Sequence, residues 1–387
     1  MTEAAVAIVG IGDTPVGRVA DLSAQGLYEL ASTRAIVDAG LERGEIDGVL
    51  TASSRTSPYQ NHAEALAESL GIAPRLTLTF GTGGATTLKM IALAAWAIRA
   101  GAARRVLVAA ADNLLTGLGG ASAVRSLADT GYREFERPYA PFAPVTFALL
   151  AQRHAHELGS RPEDLATVAV TLRANAARTP GAQFRDSITV ADVLGSPLIA
   201  SPLRRLDCAP VSDGGGALVV AGADVAPSIR HAPVWVLGNG EAHQEFLPYA
   251  PELPRLDCCR RAADAAFAAA AITRADVDVA LVYDPFTIQV VVSLEALGFC
   301  APGDGAAFVR SGGIARGGSL PVNPHGGLLS YAHPGRSGAM LHAVEAVRQL
   351  RGECGDRQVA GARVALVAAE GAMLSDHAVT LLGTARP

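Results

Sequence analysis

The stretch from Asn323 to Gly335, which reads NPHGGLLSYAHPG, contains the side chains His325, Tyr331 and His333 and three glycines. An imidazole titrates near neutral pH and can exchange protons or donate to an oxygen anion. A phenol titrates near pH 10, which suits proton exchange with an alcohol. The segment that follows has an apolar stripe at helical spacing, so the loop leads into a helix N-terminus whose amides can hold an anionic oxygen. This loop is therefore the first candidate site.

A second tyrosine, Tyr283, ends a short apolar run that predicts a strand, and Asp284 follows it directly. Tyr283 is a candidate acid or base, and Asp284 is better explained as the N-cap of a helix that begins near Phe286. Structural alternatives stay open for the tyrosines, which often pack half-buried with a satisfied hydroxyl. They also stay open for His325, whose ring nitrogens can be satisfied by hydrogen bonds within a turn, and for His333, which can simply orient its loop.

The composition argues against several functional classes. The chain has 387 residues, a net charge of -5 and a pI near 6.0, which give no basic surface for nucleic acid. No apolar run reaches the length of a membrane span, and the N-terminus lacks the pattern of a signal peptide. The five cysteines form no CxxC pair, so we expect inert thiols in a reducing, cytoplasmic compartment. The two loop histidines have no third ligand at metal spacing, which predicts no metal site.

Strand and helix patterns alternate along the chain, which predicts an α/β fold with a mostly parallel sheet and helices on its faces. A second series of alternating strands and helices begins at Val234–Gly238, whose pattern repeats that of Val6–Gly10. The predicted strands are 5–12, 48–52, 76–80, 105–111, 217–221, 234–238, 279–283, 363–369 and 379–383. The predicted helices are 22–39, 62–70, 84–100, 147–158, 162–177, 258–271 and 286–297. We predict an N-terminal half (1–112 and 208–230), an inserted cap (113–207) and a C-terminal half (231–387).

The motif that begins at Asn323 resembles the histidine loop of the thiolase superfamily, and the Leu-Leu-Ser within it is similar to the sterol-carrier-protein or lipid-transfer-protein branch. Three other segments, Leu206–Ala217, Tyr283–Ile288 and Val367–Met373, are similar to segments of the same branch. The resemblance spans nearly the whole chain. It implies a duplicated five-layer αβαβα fold with an inserted cap or loop region.

The chain departs from thiolases at the positions of both catalytic cysteines. Gly81 stands where thiolases carry the nucleophile, and Ala368, Ala369 and Glu370 stand where the second cysteine is expected. Without a thiolate, no acyl-enzyme can form by the usual route. Thr82 has no visible base to activate it as a substitute nucleophile. The sequence therefore argues against ordinary thiolase chemistry.

The resemblance to steroid side-chain aldolases implies retro-aldol cleavage of a bulky 3-hydroxyacyl-CoA. By that resemblance, Tyr283 and Tyr331 exchange the protons, His325 binds the thioester oxygen and His333 also belongs to the catalytic set. The implied substrate-binding positions are Gly81, Asn323, Gly326 and Gly371. Coenzyme A enters as part of the substrate, and no covalently bound cofactor is expected.

The resemblance further implies a homodimer and an OB-fold, zinc-ribbon partner of the DUF35 type. Two alternatives remain: a non-catalytic subunit that binds acyl-CoA or lipid, and a thiolase that works by a noncysteine route.

Overall fold

The structure is a computed structural model that describes residues 5–57, 59–119, 122–123, 134, 143–225, 231–244 and 255–387. The strands are β1 Val6–Asp13, β2 Gly48–Ala52, β3 Leu76–Phe80, β4 Arg105–Asn113, β5 Leu198–Ala200, β6 Leu203–Arg204, β7 Asp213–Gly222, β8 Val234–His243, β9 Val279–Val282, β10 Val364–Gly371 and β11 Asp376–Gly383. The helices are α1 Ala24–Asp38, α2 His62–Leu70, α3 Thr86–Arg99, α4 Ala143–Leu158, α5 Pro162–Ala176, α6 Val190–Gly195, α7 Asp257–Ala270, α8 Thr287–Ala296, α9 Gly305–Arg310, α10 Gly327–Ser330 and α11 Gly338–Arg351.

The main sheet has the same strand order in both halves of the chain. The N-terminal half is ordered β3-β2-β4-β7-β1, and the C-terminal half continues as β8-β11-β10-β9. Beyond β9, Val322 makes a parallel bridge to Ala280, at the place that β3 occupies in the first half. The halves join through a short pairing in which Ala7 faces Trp235. This repeated order supports the predicted duplication.

Three apolar clusters divide the described residues into five layers. The largest cluster surrounds α3 and α11, which contact each other and strands of both halves. A second cluster lies between the N-terminal strands and the outer helices α1 and α2, and a third lies between the C-terminal strands and α7 and α8. A helix buried between the two halves of the sheet must be apolar on most sides, which explains the composition of α3. The predicted five-layer αβαβα fold is confirmed.

The prediction of a mostly parallel sheet is wrong. Among the described strands of the main sheet, three pairings are parallel (β2–β3, β2–β4 and β9–β10) and five are antiparallel. The parallel pairs are joined by crossovers that carry α2, α3 or α11, as parallel strands require. β10 and β11 are instead joined by a tight turn, and β7 returns antiparallel after the inserted segment.

The segment between β4 and β7 covers the C-terminal half. Its helices α4 and α5 belong to the same apolar cluster as α8, and the ring of Phe147 stacks on Phe286 with centroids 4.3 Å apart. Residues 120–121, 124–133 and 135–142 of the predicted cap lie outside the described residues. The division into halves and cap at residues 112, 207 and 230 stays a prediction.

Candidate active site

Two glycine-rich turns meet at the N-termini of the central helices. The turn Gly83–Ala85 precedes α3, and Gly335–Ser337 precedes α11. A Cβ on Gly84 would lie 2.3 Å from Cζ of Tyr283, and a Cβ on Gly371 would lie 2.0 Å from the Thr82 carbonyl oxygen. Only glycines allow such an approach. Tyr283 and the end of β10 are thus held directly against the turn that follows Gly81 and Thr82.

The phenol of Tyr283 forms a polar contact with His333. Its hydroxyl donates to the Gly335 carbonyl oxygen at 3.1 Å and lies 3.1 Å from Nε2 of His333. Burial raises the pKa of Tyr283 well above its ordinary value, and the nearby Glu370 and Asp284 add to this rise. Burial also lowers the pKa of His333 to about 4. At neutral pH this pair is therefore a neutral phenol beside a neutral imidazole.

Gly81 faces a guanidinium group. A Cβ built on Gly81 would lie 3.0 Å from Oγ of Ser53 and 3.9 Å from Cζ of Arg336. Nη1 of Arg336 donates to the Ser53 carbonyl oxygen and hydroxyl at 3.1 and 2.7 Å. Its other nitrogens have no hydrogen-bond partner in the part of the chain that the structure describes. Gly81, where the resemblance implies a missing nucleophile, is thus beside a cation with free N–H groups.

Tyr331 and His325 line a separate cavity of about 290 Å³. Their rings meet edge to face with centroids 5.2 Å apart. Two ion pairs, Arg348 with Asp13 and Arg357 with Glu345, form other walls of this cavity. The structure therefore divides the predicted catalytic residues into two pairs, Tyr283 with His333 and Tyr331 with His325.

His342 on α11 connects the two pairs. Its Nδ1 lies 3.2 Å from Nε2 of His325, and its ring meets that of Tyr283 edge to face at 6.2 Å. Nε2 of His342 lies 3.4 Å from a carboxylate oxygen of Asp284. The predicted catalytic side chains thus form one continuous buried group around His342.

Asp284 does not cap the helix that begins after Phe286, so that prediction is wrong. Its two oxygens accept instead from the backbone amides of Leu328 and Leu329, at 2.8 and 3.2 Å. These amides belong to α10, the single turn inside the histidine loop. A Cβ on Gly327 would lie 2.1 Å from Asp284, which explains the glycine there. Asp284 fixes the loop that contains His325 and Tyr331.

Asn323 and Gly326 hold the start of this loop. The Asn323 side chain exchanges two hydrogen bonds of 2.8 Å with the backbone of Val282. Gly326 has φ of +108°, and a Cβ there would lie 2.5 Å from Cβ of Ala176. These contacts are with protein groups, and substrate binding by Asn323, Gly326, Gly81 or Gly371 stays a prediction.

The cysteines are unsuited to nucleophilic chemistry. Burial raises the pKa of Cys208, Cys258 and Cys300 to about 12. It also raises the pKa of Cys259 and Cys354. A thiol reacts as its thiolate, which is scarce at neutral pH when the pKa is this high. Among the described residues, no group of three or more His, Cys, Asp or Glu side chains could hold a metal ion.

Comparison with known proteins places this geometry in a family. Residues 6–224 match the family described as "Thiolase, N-terminal domain", and residues 240–384 match "Thiolase C-terminal domain-like". The chain belongs to the thiolase superfamily.

Relatives within the superfamily include both thiolases and aldolases. An acetyl-CoA acetyltransferase of Methanothermobacter thermautotrophicus is 32% identical over 93% of this chain and 94% of its own length. A steroid side-chain-cleaving aldolase of Thermomonospora curvata is 34% identical over 90% of each chain. The solved structure of the Ltp2-ChsH2(DUF35) aldolase matches with a TM-score of 0.87 and 31% identity, covering 98% of this chain and 97% of that one. These relatives confirm the predicted membership of the thiolase superfamily in its sterol-carrier-protein branch, and the two aldolases among them support the predicted class of carbon–carbon lyase.

In this thiolase-fold chain, sequence reasoning missed two residues of the site, His342 and Arg336. His342 lies on the face of α11 that the apolar stripe marks as buried, and a polar residue there was a usable signal. Arg336 directly follows Gly335, but its contact with Ser53 joins residues 283 positions apart. No local pattern indicates that contact.

Proposed function

We propose that this protein cleaves a bulky 3-hydroxyacyl-CoA by retro-aldol chemistry, releasing a ketone or aldehyde and a shorter acyl-CoA. The observation that carries the proposal is the phenol of Tyr283 packed on Gly84. Gly84 is three residues after Gly81, the position at which the resemblance to thiolases implies the nucleophile. Retro-aldol cleavage expels a thioester enolate and needs no covalent acyl group. It needs donors for the enolate oxygen, one base and one acid.

The geometry supports a division of these roles. Tyr283 is at the meeting point of the glycine turns, where it would protonate the enolate carbon. Arg336 and the amides at the start of α3 would hold the enolate oxygen, because a planar cation and a helix N-terminus both stabilise negative charge. Tyr331 and His325 would receive the hydroxyl-bearing end of the substrate in their cavity.

The name of the Thermomonospora relative motivates the substrate class. We propose a substrate of the steroid side-chain type, with coenzyme A as its thioester. The Ltp2-ChsH2(DUF35) structure motivates a DUF35-type partner with an OB-fold and zinc ribbon, which would help to hold coenzyme A.

The test is product analysis by mass spectrometry with a panel of tertiary and secondary 3-hydroxyacyl-CoAs, with and without a DUF35-type partner. Tyr283→Phe should lower kcat by roughly 10²- to 10⁴-fold, because it removes the proton of the acid. Tyr59→Phe is the matched control, since Tyr59 is 51% exposed and lies outside the site. Equal turnover of wild type and Tyr283→Phe would reject this role.

The absence of a thiolate near Gly81 also favours a second candidate, a non-catalytic subunit that binds acyl-CoA or lipid. That function predicts binding by calorimetry with no product from any substrate of the panel, alone or with the partner. The thiolase alternative by a noncysteine route predicts loss of ketothioester absorbance when 3-ketoacyl-CoA is mixed with free coenzyme A.

A further inference from the structure

Three buried side chains form a line between the strand β9 and the cavity. They are Asp284, His342 and His325, none of which is more than 2% exposed. Nε2 of His342 lies 3.4 Å from Asp284, and Nδ1 of His342 lies 3.2 Å from Nε2 of His325. A neutral imidazole carries one N–H group, so each contact restricts the tautomer of the next ring.

The direction of the hydrogen bond between His342 and His325 follows from the carboxylate of Asp284. Its oxygens already accept from the amides of Leu328 and Leu329, so they present acceptors to their surroundings. Nε2 of His342 lacks a hydrogen bond of good geometry, but a bare nitrogen 3.4 Å from this carboxylate would face an oxygen lone pair, so Nε2 carries the proton. Nδ1 of His342 is then an acceptor and receives the N–H of His325 Nε2. The remaining nitrogen of His325, Nδ1, carries a lone pair.

This lone pair is unused by the protein. The ring of His325 lines the cavity, and its Nδ1 is buried without a hydrogen-bond partner among the residues that the structure describes. Burial lowers the pKa of His325 well below its ordinary value, and His342, Arg357 and Arg348 act in the same direction, so the ring is neutral. A buried acceptor without a partner costs free energy, and a ligand in the cavity would relieve that cost.

Tyr331 supplies the complementary donor. Its hydroxyl has no hydrogen bond with any residue that the structure describes, and burial raises the pKa of this phenol, which keeps it protonated. The guanidinium groups in the cavity are occupied by bidentate contacts with carboxylates, Arg348 with Asp13 and Arg357 with Glu345. An acceptor and a donor on neighbouring rings fit a single group that can both donate and accept, which is an alcohol.

We infer that Asp284 and His342 fix the tautomer of His325 so that its Nδ1 takes the proton of the substrate's β-hydroxyl, while Tyr331 donates to the same oxygen. This inference rests on the proposed retro-aldol function. It makes His325 the base rather than a donor to the thioester oxygen, and makes His342 and Asp284 positioning residues.

The reaction balances with these groups. The O–H proton moves to Nδ1 of His325, the oxygen–carbon bond becomes a carbonyl, and the Cα–Cβ bond breaks to leave a thioester enolate. The enolate carbon takes the proton of Tyr283. The imidazolium then releases one proton to solvent, and the phenolate regains one from solvent. Burial raises the pKa of Asp284, and His342 and the amides of Leu328 and Leu329 oppose that rise. In its ionised form, Asp284 stabilises the transient positive charge through His342, as a carboxylate does for a general base histidine.

The tautomer can be measured without any substrate. In protein labelled with ¹⁵N-histidine, long-range NMR correlations distinguish a bare from a protonated ring nitrogen. We expect a bare Nδ1 and a protonated Nε2 on His325 at pH 7. A protonated Nδ1 would overturn the inference, whatever the enzyme does.

Kinetics test the roles of His325 and His342. His325→Ala should lower kcat by roughly 10²- to 10⁴-fold, and added imidazole should restore part of the turnover by occupying the vacated space. His342→Leu should lower kcat at least about tenfold with little change in KM. His342→Gln should recover activity, because its amide can donate to Asp284 and accept from His325.

His154→Leu is the matched control for loss of a buried histidine. His154 lies 3.1 Å from Glu295 and outside the site, so turnover should be unchanged at temperatures where the variant is folded. If wild type cleaves the panel and His325→Ala does so equally well, the inference fails while the proposed function stands. If wild type cleaves nothing, the proposed function fails, and the NMR tautomer still decides whether Asp284 and His342 orient His325.

Discussion

Arg336 and Gly81 show how the loss of one side chain changes which group can act at the same place. The Arg336 guanidinium is within about 4 Å of a Cβ built on Gly81, with Nη2 at 4.0 Å. A cysteine side chain would extend into this space, and its removal leaves the guanidinium facing the glycine turn. An arginine stays protonated under all working conditions, so it offers a fixed charge for an enolate oxygen.

Arg336→Met should lower kcat of the cleavage reaction by roughly 10²- to 10³-fold, the loss typical of removing one oxyanion donor. Steady-state kinetics with the best substrate of the panel measures this. Arg153→Met is the control, because Arg153 is an exposed residue of α4 that pairs with Glu157. A loss confined to KM would instead indicate that Arg336 binds a distant part of coenzyme A.

For individual residues, the sequence predicted which side chains come together better than it predicted their contacts. Tyr283, His325, Tyr331 and His333 do lie in one buried group. The two pairs are connected by His342, which contacts His325 and Tyr283 and is nine positions beyond His333 in the sequence. A periodicity pattern shows that a position is buried, but it does not show which side chain it meets.

The turn between β10 and β11 is an element under strain. Ala372, Met373 and Leu374 have φ of 48°, 52° and 68°, a left-handed conformation that costs non-glycine residues roughly 1–2 kcal/mol each. The Leu374 amide donates to Oε2 of Glu370 at 3.0 Å, which helps to hold the turn. Strained backbone of this kind persists only where surrounding contacts enforce it.

The protonation of Glu370, beside this turn, makes the stability of the folded protein depend on pH. Burial raises its pKa from 4.5 to about 7, and Asp376 adds to the rise while the Leu374 amide opposes it. Because the folded-state pKa is above the unfolded one, the protonated carboxyl favours the folded state. This contribution is fully present below about pH 4.5 and is lost as the pH rises through about 7.

Glu370→Gln keeps an acceptor for Leu374 and removes the titration. We expect the variant to gain stability over wild type as the pH rises from 5 to 8, by ~3 kcal/mol at most. Urea unfolding at several pH values measures this difference. His333 and His377 titrate in the opposite sense, since burial lowers their pKa to about 4 and about 3, but they affect both proteins equally. Stability curves that stay parallel across the range would contradict the prediction.

Element positions were largely predictable, but their pairing was not. The predicted bounds of β2, β3 and α2 equal the observed ones, because each has a clear period and a clear stop. The antiparallel return of β7 could not be predicted, because it depends on where the inserted segment ends in space. The role of Asp284 was also hidden, since its partners Leu328 and Leu329 are more than forty residues away.

At the scale of the whole molecule, β3 ends the sheet in the N-terminal half. Among the described strands it pairs only with β2, and Leu78 on it is 43% exposed. An open edge strand with an apolar side chain is a surface that another chain can pair with. This edge is where we place the predicted homodimer contact.

Leu78→Lys should shift the dimer towards monomer, because it adds a charge to an edge that would be buried. Sedimentation velocity at several protein concentrations measures the change. Leu149→Lys is a suitable control, since Leu149 is also half exposed but lies on α4. A dimer that survives Leu78→Lys and responds to Leu149→Lys would move the interface to the cap side.

No helix in the described ranges is long and apolar enough to cross a bilayer.

The high pKa of the buried thiols has a practical consequence for the living cell and the bench. An enzyme that needs no sulfur nucleophile should keep its turnover when iodoacetamide or hydrogen peroxide inactivates its cysteine-dependent relatives. The measurement is the residual activity after such treatment, compared with that of a cysteine thiolase treated in the same tube. With the proposed lyase activity, this protein would therefore continue to work under oxidative stress where its cysteine-dependent relatives stop.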